Sequence, residues 1–157
     1  MLQYIFGGDL PWSSQDWTSS DDTVRGGRSF SNLEFSDSNS IAIFNGFLDM
    51  NTLGDAGFAA QCSKEDRVWD LSNYDGILLN VTKTDEKIYT FSLTDRATAP
   101  NQSTISWDYN FIAARDGEQV KVPWSAFKPT YRGRNLKHTT RLNLKRIKRF
   151  TLMMRRS

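Results

Sequence analysis

The chain has 157 residues, 38% hydrophobic and 13% aromatic, so it is long enough to bury a core and too apolar to be disordered. Its net charge of +2 conceals an asymmetry, because residues 1–127 hold all 18 acidic residues while residues 128–157 hold 11 basic residues and no acidic one. One cysteine and one histidine exclude an internal disulfide and a His/Cys zinc cluster, and no apolar run is long enough to span a bilayer.

Alternation of apolar and polar residues predicts short β-strands bounded by Gly, Asn, Asp or Pro. In chain order, the predicted strands are residues 29–35, 40–47, 76–82, 88–94, 105–111, 119–122 and 147–154. The clearest is the fifth, which has Ile105, Trp107, Tyr109 and Phe111 on one face and Ser106, Asp108 and Asn110 on the other. A single helical turn is predicted after Pro123. Seven or eight such strands predict an all-β fold, a β-sandwich or jelly roll.

No linker or internal repeat interrupts the chain, so we expect one sandwich domain over residues 1–157. Residues 18–27 and 94–103 are rich in turn residues and are predicted to form exposed loops, where a rigid sandwich usually carries binding groups. The last predicted strand ends at Arg155-Arg156-Ser157, which leaves two alternatives: a sheet without its closing strand, or a truncated product. No basic residue precedes Arg25, which disfavours a secretory signal and a mitochondrial presequence.

Asp21 and Asp22, followed by Gly26 and Gly27, form a polar motif with two interpretations. Paired carboxylates in a loop can seat a cation or act as acid and base. A turn needs glycine's backbone freedom and the accepting oxygens of the aspartates, and we favour this interpretation. It implies that Val at either glycine strains the backbone, and that Asn at either aspartate is tolerated.

No catalytic residue, metal site or cofactor is predicted. His138 stands in a basic polar stretch, and no nucleophile elbow occurs in the chain. The sequence therefore indicates a binding module rather than an enzyme.

Aromatic and basic residues offer two further binding modes. Trp107 is predicted to lie in the core, whereas a carbohydrate-binding module would use Trp12, Trp17, Tyr74 and Tyr89 as stacking platforms for a glycan. The C-terminal basic residues could bind phosphates or an acidic partner, or could be solvated or face their own domain, which we favour. These are Arg132, Arg134, Lys137, Arg141, Lys145 and Arg146. Nucleic acid is not expected as a partner, because aromatic and basic residues do not interleave.

Six short motifs follow one another along the chain. They are residues 17–29 (WTSSDDTVRGGRS), Phe44-Asn45-Gly46, Gly57-Phe58-Ala59, residues 71–77 (LSNYDGI), Val122-Pro123-Trp124 with Phe127, and Arg132-Gly133. Together they resemble the signature of the complex I intermediate-associated protein 30 family. The sequence departs from it at Gln61, where the family often has Arg, and at Ala56, where a second Gly is common.

The resemblance implies a galactose-binding-like jelly roll, with residues 17–154 as the family-like core. It also implies a non-enzymatic, chaperone-like assembly factor for respiratory complex I (NADH:ubiquinone oxidoreductase), whose partner is a protein assembly intermediate. The candidate partner-binding residues are Trp12, Trp17, Asp21, Asp22, Arg25, Tyr74 and Arg132. The resemblance points to mitochondria, while the acidic N-terminal segment favours the cytoplasm.

Overall fold

The computed structural model describes residues 3–53, 57–65, 67–96, 104–132 and 134–155. The chain divides into two compact units, residues 1–64 with 151–157 and residues 65–150. Each unit contains a larger antiparallel sheet and a separate pair of strands. The prediction of a single domain over residues 1–157 stays a prediction.

The first unit is built on five strands: β1 (Trp17–Ser19), β2 (Phe30–Phe35), β3 (Ala42–Phe47), β4 (Phe58–Ser63) and, from Thr151 onward, β11 (Arg149–Arg155). Strand β4 lies between β1 and β11, with Cys62 opposite both Thr18 and Thr151. Strands β2 and β3 pair with each other. All these pairings are antiparallel.

Strand β4 is buried on both faces, which explains why alternation did not reveal it. Ala59 and Ala60 are 0% and 1% exposed, and Gln61, Cys62 and Ser63 are also buried. A central strand covered on both sides has no solvated face, so its sequence shows no period of two. Strand β1 was missed for another reason, because three residues are too few to display a pattern.

The second unit has a sheet in the order β6 (Tyr89–Thr94), β7 (Ser106–Phe111), β9 (Lys128–Tyr131) and β10 (Arg134–Asn135). Its strand pair consists of β5 (Gly76–Asn80) and β8 (Gln119–Pro123). The core includes Leu93 and Ile147, both 0% exposed, and Phe150, whose ring meets the Trp69 ring edge-on at 4.8 Å.

The prediction of an all-β fold, a β-sandwich or jelly roll, is confirmed in its class, because the described chain is nearly all β and has antiparallel sheets of the kind that a β-sandwich contains. The seven predicted strands correspond to β2, β3, β5, β6, β7, β8 and β11, with ends shifted by one or two residues. The predicted turn after Pro123 is the 3₁₀ helix Trp124–Ala126. In the described ranges, no helix is long and apolar enough to cross a membrane.

The polar face of β7 differs from the prediction. Trp107 is 4% exposed and belongs to the core, as expected, but Asp108 on the opposite face is also buried, at 8%. Its carboxylate accepts hydrogen bonds from the hydroxyls of Ser92, Ser106 and Thr130 at 2.7, 2.8 and 3.0 Å. These bonds replace the water that an exposed aspartate would bind, so a charged residue can occupy an interior position.

Candidate functional site

Two neighbouring carboxylates join the start of β2 to the start of β4. Asp22 Oδ1 accepts a hydrogen bond from the backbone nitrogen of Ser29 at 2.9 Å, and its Oδ2 accepts one from that of Phe58 at 3.0 Å. Asp21 accepts in the same way from the backbone nitrogens of Ser31 at 3.2 Å and Ala60 at 3.0 Å. The two side chains thus supply the acceptors that a neighbouring strand would otherwise provide.

The turn at Gly26 and Gly27 lets this bridge form. Gly26 has φ +81°, a left-handed conformation that glycine adopts without strain, and its nitrogen donates to the Thr23 carbonyl at 3.1 Å. A side chain at Gly27 would clash with the Asp22 carboxylate. The geometry agrees with the favoured structural turn, but the aspartates bridge two strands rather than cap their own loop.

The bridge leaves Asp22 little chemical freedom. Its side chain is 0% exposed, and both oxygens are occupied by backbone donors. Among the described residues, no group of three or more His, Cys, Asp or Glu side chains could hold a metal ion. Asp22 therefore orients strands, and both of its oxygens are already used by backbone donors.

Arg25 comes from the same turn and lies over the same strand. Its side chain is exposed, and its guanidinium carbon stands 5.5 Å from the centroid of the Phe58 ring. The structure therefore brings three predicted site residues, Asp21, Asp22 and Arg25, together around residues 58–60.

Trp12 and Trp17 belong to an aromatic cluster rather than to an exposed platform. Their ring centroids are 5.8 Å apart, and the Phe6 ring lies 5.5 Å from Trp12 and 5.0 Å from Trp17. Phe35 of β2 stacks on Trp12 at 6.3 Å. Trp17 is 7% exposed and Trp12 is half-buried. Their main contribution is to pack the N-terminal segment against β1 and β2.

A polar groove of about 480 Å³ lies beside this cluster in the first unit. Strand β1 contributes Trp17, Thr18 and Ser19, strand β2 contributes Ser31, Asn32, Leu33 and Glu34, and β4 contributes Gln61. The Gln61 side-chain nitrogen donates to the carbonyl and the hydroxyl of Ser31, at 3.3 and 3.0 Å. Of the residues that line the groove, Trp17 is a predicted partner-binding residue, whereas Gln61 stood out only as a departure from the family pattern.

Tyr74 and Arg132 lie in the second unit. The Tyr74 nitrogen donates to the Leu71 carbonyl at 3.2 Å, and its carbonyl accepts from the Trp124 indole nitrogen at 2.6 Å. Arg132 is exposed, has φ +52° and places its guanidinium carbon 5.5 Å from the Tyr131 ring centroid. Tyr74 therefore forms part of a turn, and Arg132 stacks on Tyr131 at the surface.

The predicted glycan platform is not supported. All five tryptophans are buried or half-buried, and so are Tyr74 and Tyr89. The Tyr89 hydroxyl donates to Asp85 at 2.7 Å. Burial, followed by this hydrogen bond and the charge of Asp85, raises the pKa of Tyr89 far above its ordinary value. Sugar stacking needs open aromatic faces, and these rings do not provide them.

The six basic residues predicted as a charged segment are all exposed between residues 132 and 146. This agrees with the solvated interpretation. One of them acts on a neighbour: the charge of Lys145, after hydrogen bonds from the Ser72 hydroxyl and nitrogen, helps to lower the pKa of Asp70.

Comparison with known sequences gives two matches. The sequence model of the complex I intermediate-associated protein 30 family matches residues 6–157. An uncharacterized protein of Schizosaccharomyces pombe is 40% identical over 161 residues, which covers 96% of this chain and 74% of the relative. The family match reaches further toward the N-terminus than the motifs in the sequence, which begin at Trp17, and it includes the aromatic cluster.

Proposed function

Because this chain belongs to the complex I intermediate-associated protein 30 family, we propose that it is a non-enzymatic, chaperone-like module that binds a protein assembly intermediate. The family links the chain to complex I assembly. The family match over residues 6–157 is the observation that carries the proposal. The proposal also includes the partner, a protein assembly intermediate of complex I, and the compartment, which is mitochondrial or cytoplasmic.

The contacts of the Asp21–Asp22 bridge support a binding role over a catalytic one. General acid–base chemistry needs a carboxylate within reach of a substrate proton. Asp22 is fully buried, and each of its oxygens accepts a backbone hydrogen bond. Such a carboxylate stabilises the fold of the first unit, and the folded unit provides the surface to which a partner protein binds.

The test is deletion of the gene in the native organism, followed by blue native electrophoresis of the respiratory complexes. We expect less complete complex I, accumulated subcomplexes, and comigration of the tagged wild-type protein with one of them. Cell fractionation of the same strain locates the protein. Unchanged complex I together with no comigration would refute the proposed role.

The proposed site residues need a matched pair of variants in that strain. Arg25→Glu changes an exposed charge at the Asp21–Asp22 bridge, and Arg115→Glu changes an exposed charge in the second unit. We expect only the first to reduce rescue of complex I. Equal rescue by both would remove Arg25 from the partner surface.

A further inference from the structure

We propose that the groove between β1 and β2 binds an extended peptide segment of a partner protein through backbone hydrogen bonds. The inference rests on the proposed function as a protein-binding module. It names the part of the first unit that receives the partner and the form in which the partner binds.

The first edge of the groove belongs to β1. The nitrogen of Ser20 donates to the Ala60 carbonyl at 2.8 Å, and the nitrogen of Lys64 donates to the Asp16 carbonyl at 2.9 Å. In an antiparallel pair, alternate residues direct their backbone groups toward the partner strand, so the even-numbered residues of β1 face β4. The N–H and C=O of Ser19 therefore point away from β4, and they have no hydrogen-bond partner among the described residues.

The second edge belongs to β2. The nitrogen of Ser36 donates to the Ile41 carbonyl at 2.9 Å, which assigns the even-numbered residues of β2 to the side of β3. Ser31 confirms this, because its nitrogen reaches Asp21 and its carbonyl accepts from Gln61. Leu33 has the same orientation as Ser31, but its backbone groups have no partner in the described part of the chain.

These two edges line the same groove. Three consecutive residues of β1 and four consecutive residues of β2 contribute to it. A strand that presented a face would contribute every second residue, so consecutive lining residues indicate that strand edges border the groove. Unpaired edges are templates for an added strand, and recognition of peptides by strand addition uses them.

Asp21 marks where the groove closes. Its carboxylate binds both the edge of β2, at Ser31, and the edge of β4, at Ala60, so no strand can enter there. Strand β1 is antiparallel to β4. Strand β2 runs in the same direction as β4, because Asp22 joins Ser29 to Phe58 and Asp21 joins Ser31 to Ala60, so β1 and β2 run in opposite directions. An inserted segment therefore runs antiparallel to one edge and parallel to the other.

The lining also restricts the sequence of the segment. Glu34 is the one charged residue among the eight that line the groove, and it is exposed. The others are polar, apart from Leu33 and the buried Trp17. The groove therefore fits an uncharged polar segment with Lys or Arg opposite Glu34, and disfavours an acidic one.

The experiment pans a phage library of random 12-residue peptides against the full chain. The enriched peptide is synthesised, and its affinity is measured by calorimetry with the free peptide and with a scan of single N-methylated residues. Each N-methyl group removes one backbone donor. We expect losses of about tenfold at a short run of consecutive residues, because neighbouring N–H groups face opposite edges of the groove, and little change at residues outside that run. A scan in which no N-methyl group weakens binding, or a library that yields no binder, would overturn the proposal.

Two further measurements test whether the selected peptide binds in the groove. In amide NMR spectra of the wild type, the signals of Ser19 and Leu33 should shift with peptide; shifts confined to the second unit contradict the groove. Glu34→Lys should weaken binding about tenfold, whereas Asp37→Lys, an exposed charge change outside the groove, should not. Equal affinities of these two variants would also overturn the proposal. Peptide binding is measured on the isolated chain, and complex I is measured in the deletion strain. Failure to bind peptide would therefore refute the groove proposal alone, and a normal complex I level would refute only the proposed role in complex I assembly.

Discussion

The carboxylate of Asp21 holds Ser31 at two points, accepting hydrogen bonds from its backbone nitrogen at 3.2 Å and from its hydroxyl at 2.6 Å. The same carboxylate accepts from the nitrogen of Ala60 on β4. One side chain therefore fixes the strand pair β2–β3 to the sheet of the first unit, and it determines where the groove ends.

Replacement of Asp22 by Asn should destabilise the protein by about 1–3 kcal/mol. The sequence suggested that Asn would be tolerated, but each oxygen of Asp22 accepts a different backbone N–H, and an amide offers only one oxygen. The remaining N–H would face the amide nitrogen in a buried position. Urea denaturation measures the change, with Asp37→Asn as an exposed control. Stabilisation of the wild type by calcium, absent in an Asp21→Asn, Asp22→Asn double variant, would instead identify a cation site.

Gly26→Ala and Gly27→Ala should both destabilise the turn, for different reasons. At Gly26 the cost is the left-handed φ of +81°, about 1 kcal/mol, because no atom lies within 4 Å of the added methyl group. At Gly27 the methyl group meets the buried Asp22 carboxylate, so we expect a larger loss of about 2–3 kcal/mol. Gly117→Ala is the control for Gly26, since it has φ +79° and equally open surroundings. A Gly27 variant as stable as the wild type would contradict the bridge.

Trp107→Ala should lower the free energy of unfolding by about 3–5 kcal/mol, the cost of emptying a buried aromatic site. The ring is 4% exposed and stands opposite Leu93, which is 0% exposed. Tyr131→Ala, which removes a ring that is 40% exposed, is the control and should cost far less. Equal denaturation midpoints for the two variants would show that Trp107 does not support the core.

Acid should weaken the first unit partly through Asp49. Hydrogen bonding from the Thr52 side chain, together with the nitrogens of Asn51 and Thr52 and the charge of Arg28, lowers the pKa of Asp49 below its ordinary 3.8. A carboxyl with a lower pKa in the folded state stabilises the protein above the unfolded value, and this contribution is lost as the pH falls through the folded value. Asp49→Asn should therefore be destabilised at pH 7, and the difference from wild type should shrink below about pH 4. A difference that stays constant from pH 7 to pH 3 would exclude this linkage.

Much of the fold could be predicted because strands with one buried face display a period of two. Strand β7 shows it, and its Trp107 was assigned correctly to the core. The prediction failed for β4, whose small residues are buried on both faces, and for Asp108, whose hydroxyl partners come from β6, β7 and β9. The burial of the second face of β4 and the Ser92 and Thr130 hydroxyls around Asp108 both come from residues distant in the chain, so neither leaves a local pattern in the sequence.

The sequence by itself determined the all-β class, most strand positions, the glycine turn and, through six ordered motifs, the family. Local periodicity and backbone chemistry are sufficient for these features, because each depends on neighbours along the chain. Only the tertiary structure decided that Trp12 and Trp17 pack into a cluster and that Asp21 and Asp22 bridge strands. It also decided that the unpaired backbone groups of Ser19 and Leu33 lie at the edges of one groove. These facts depend on residues far apart in the chain, such as Asp21 and Ala60, which are 39 positions apart, and their proximity is set by packing and strand pairing rather than by local sequence.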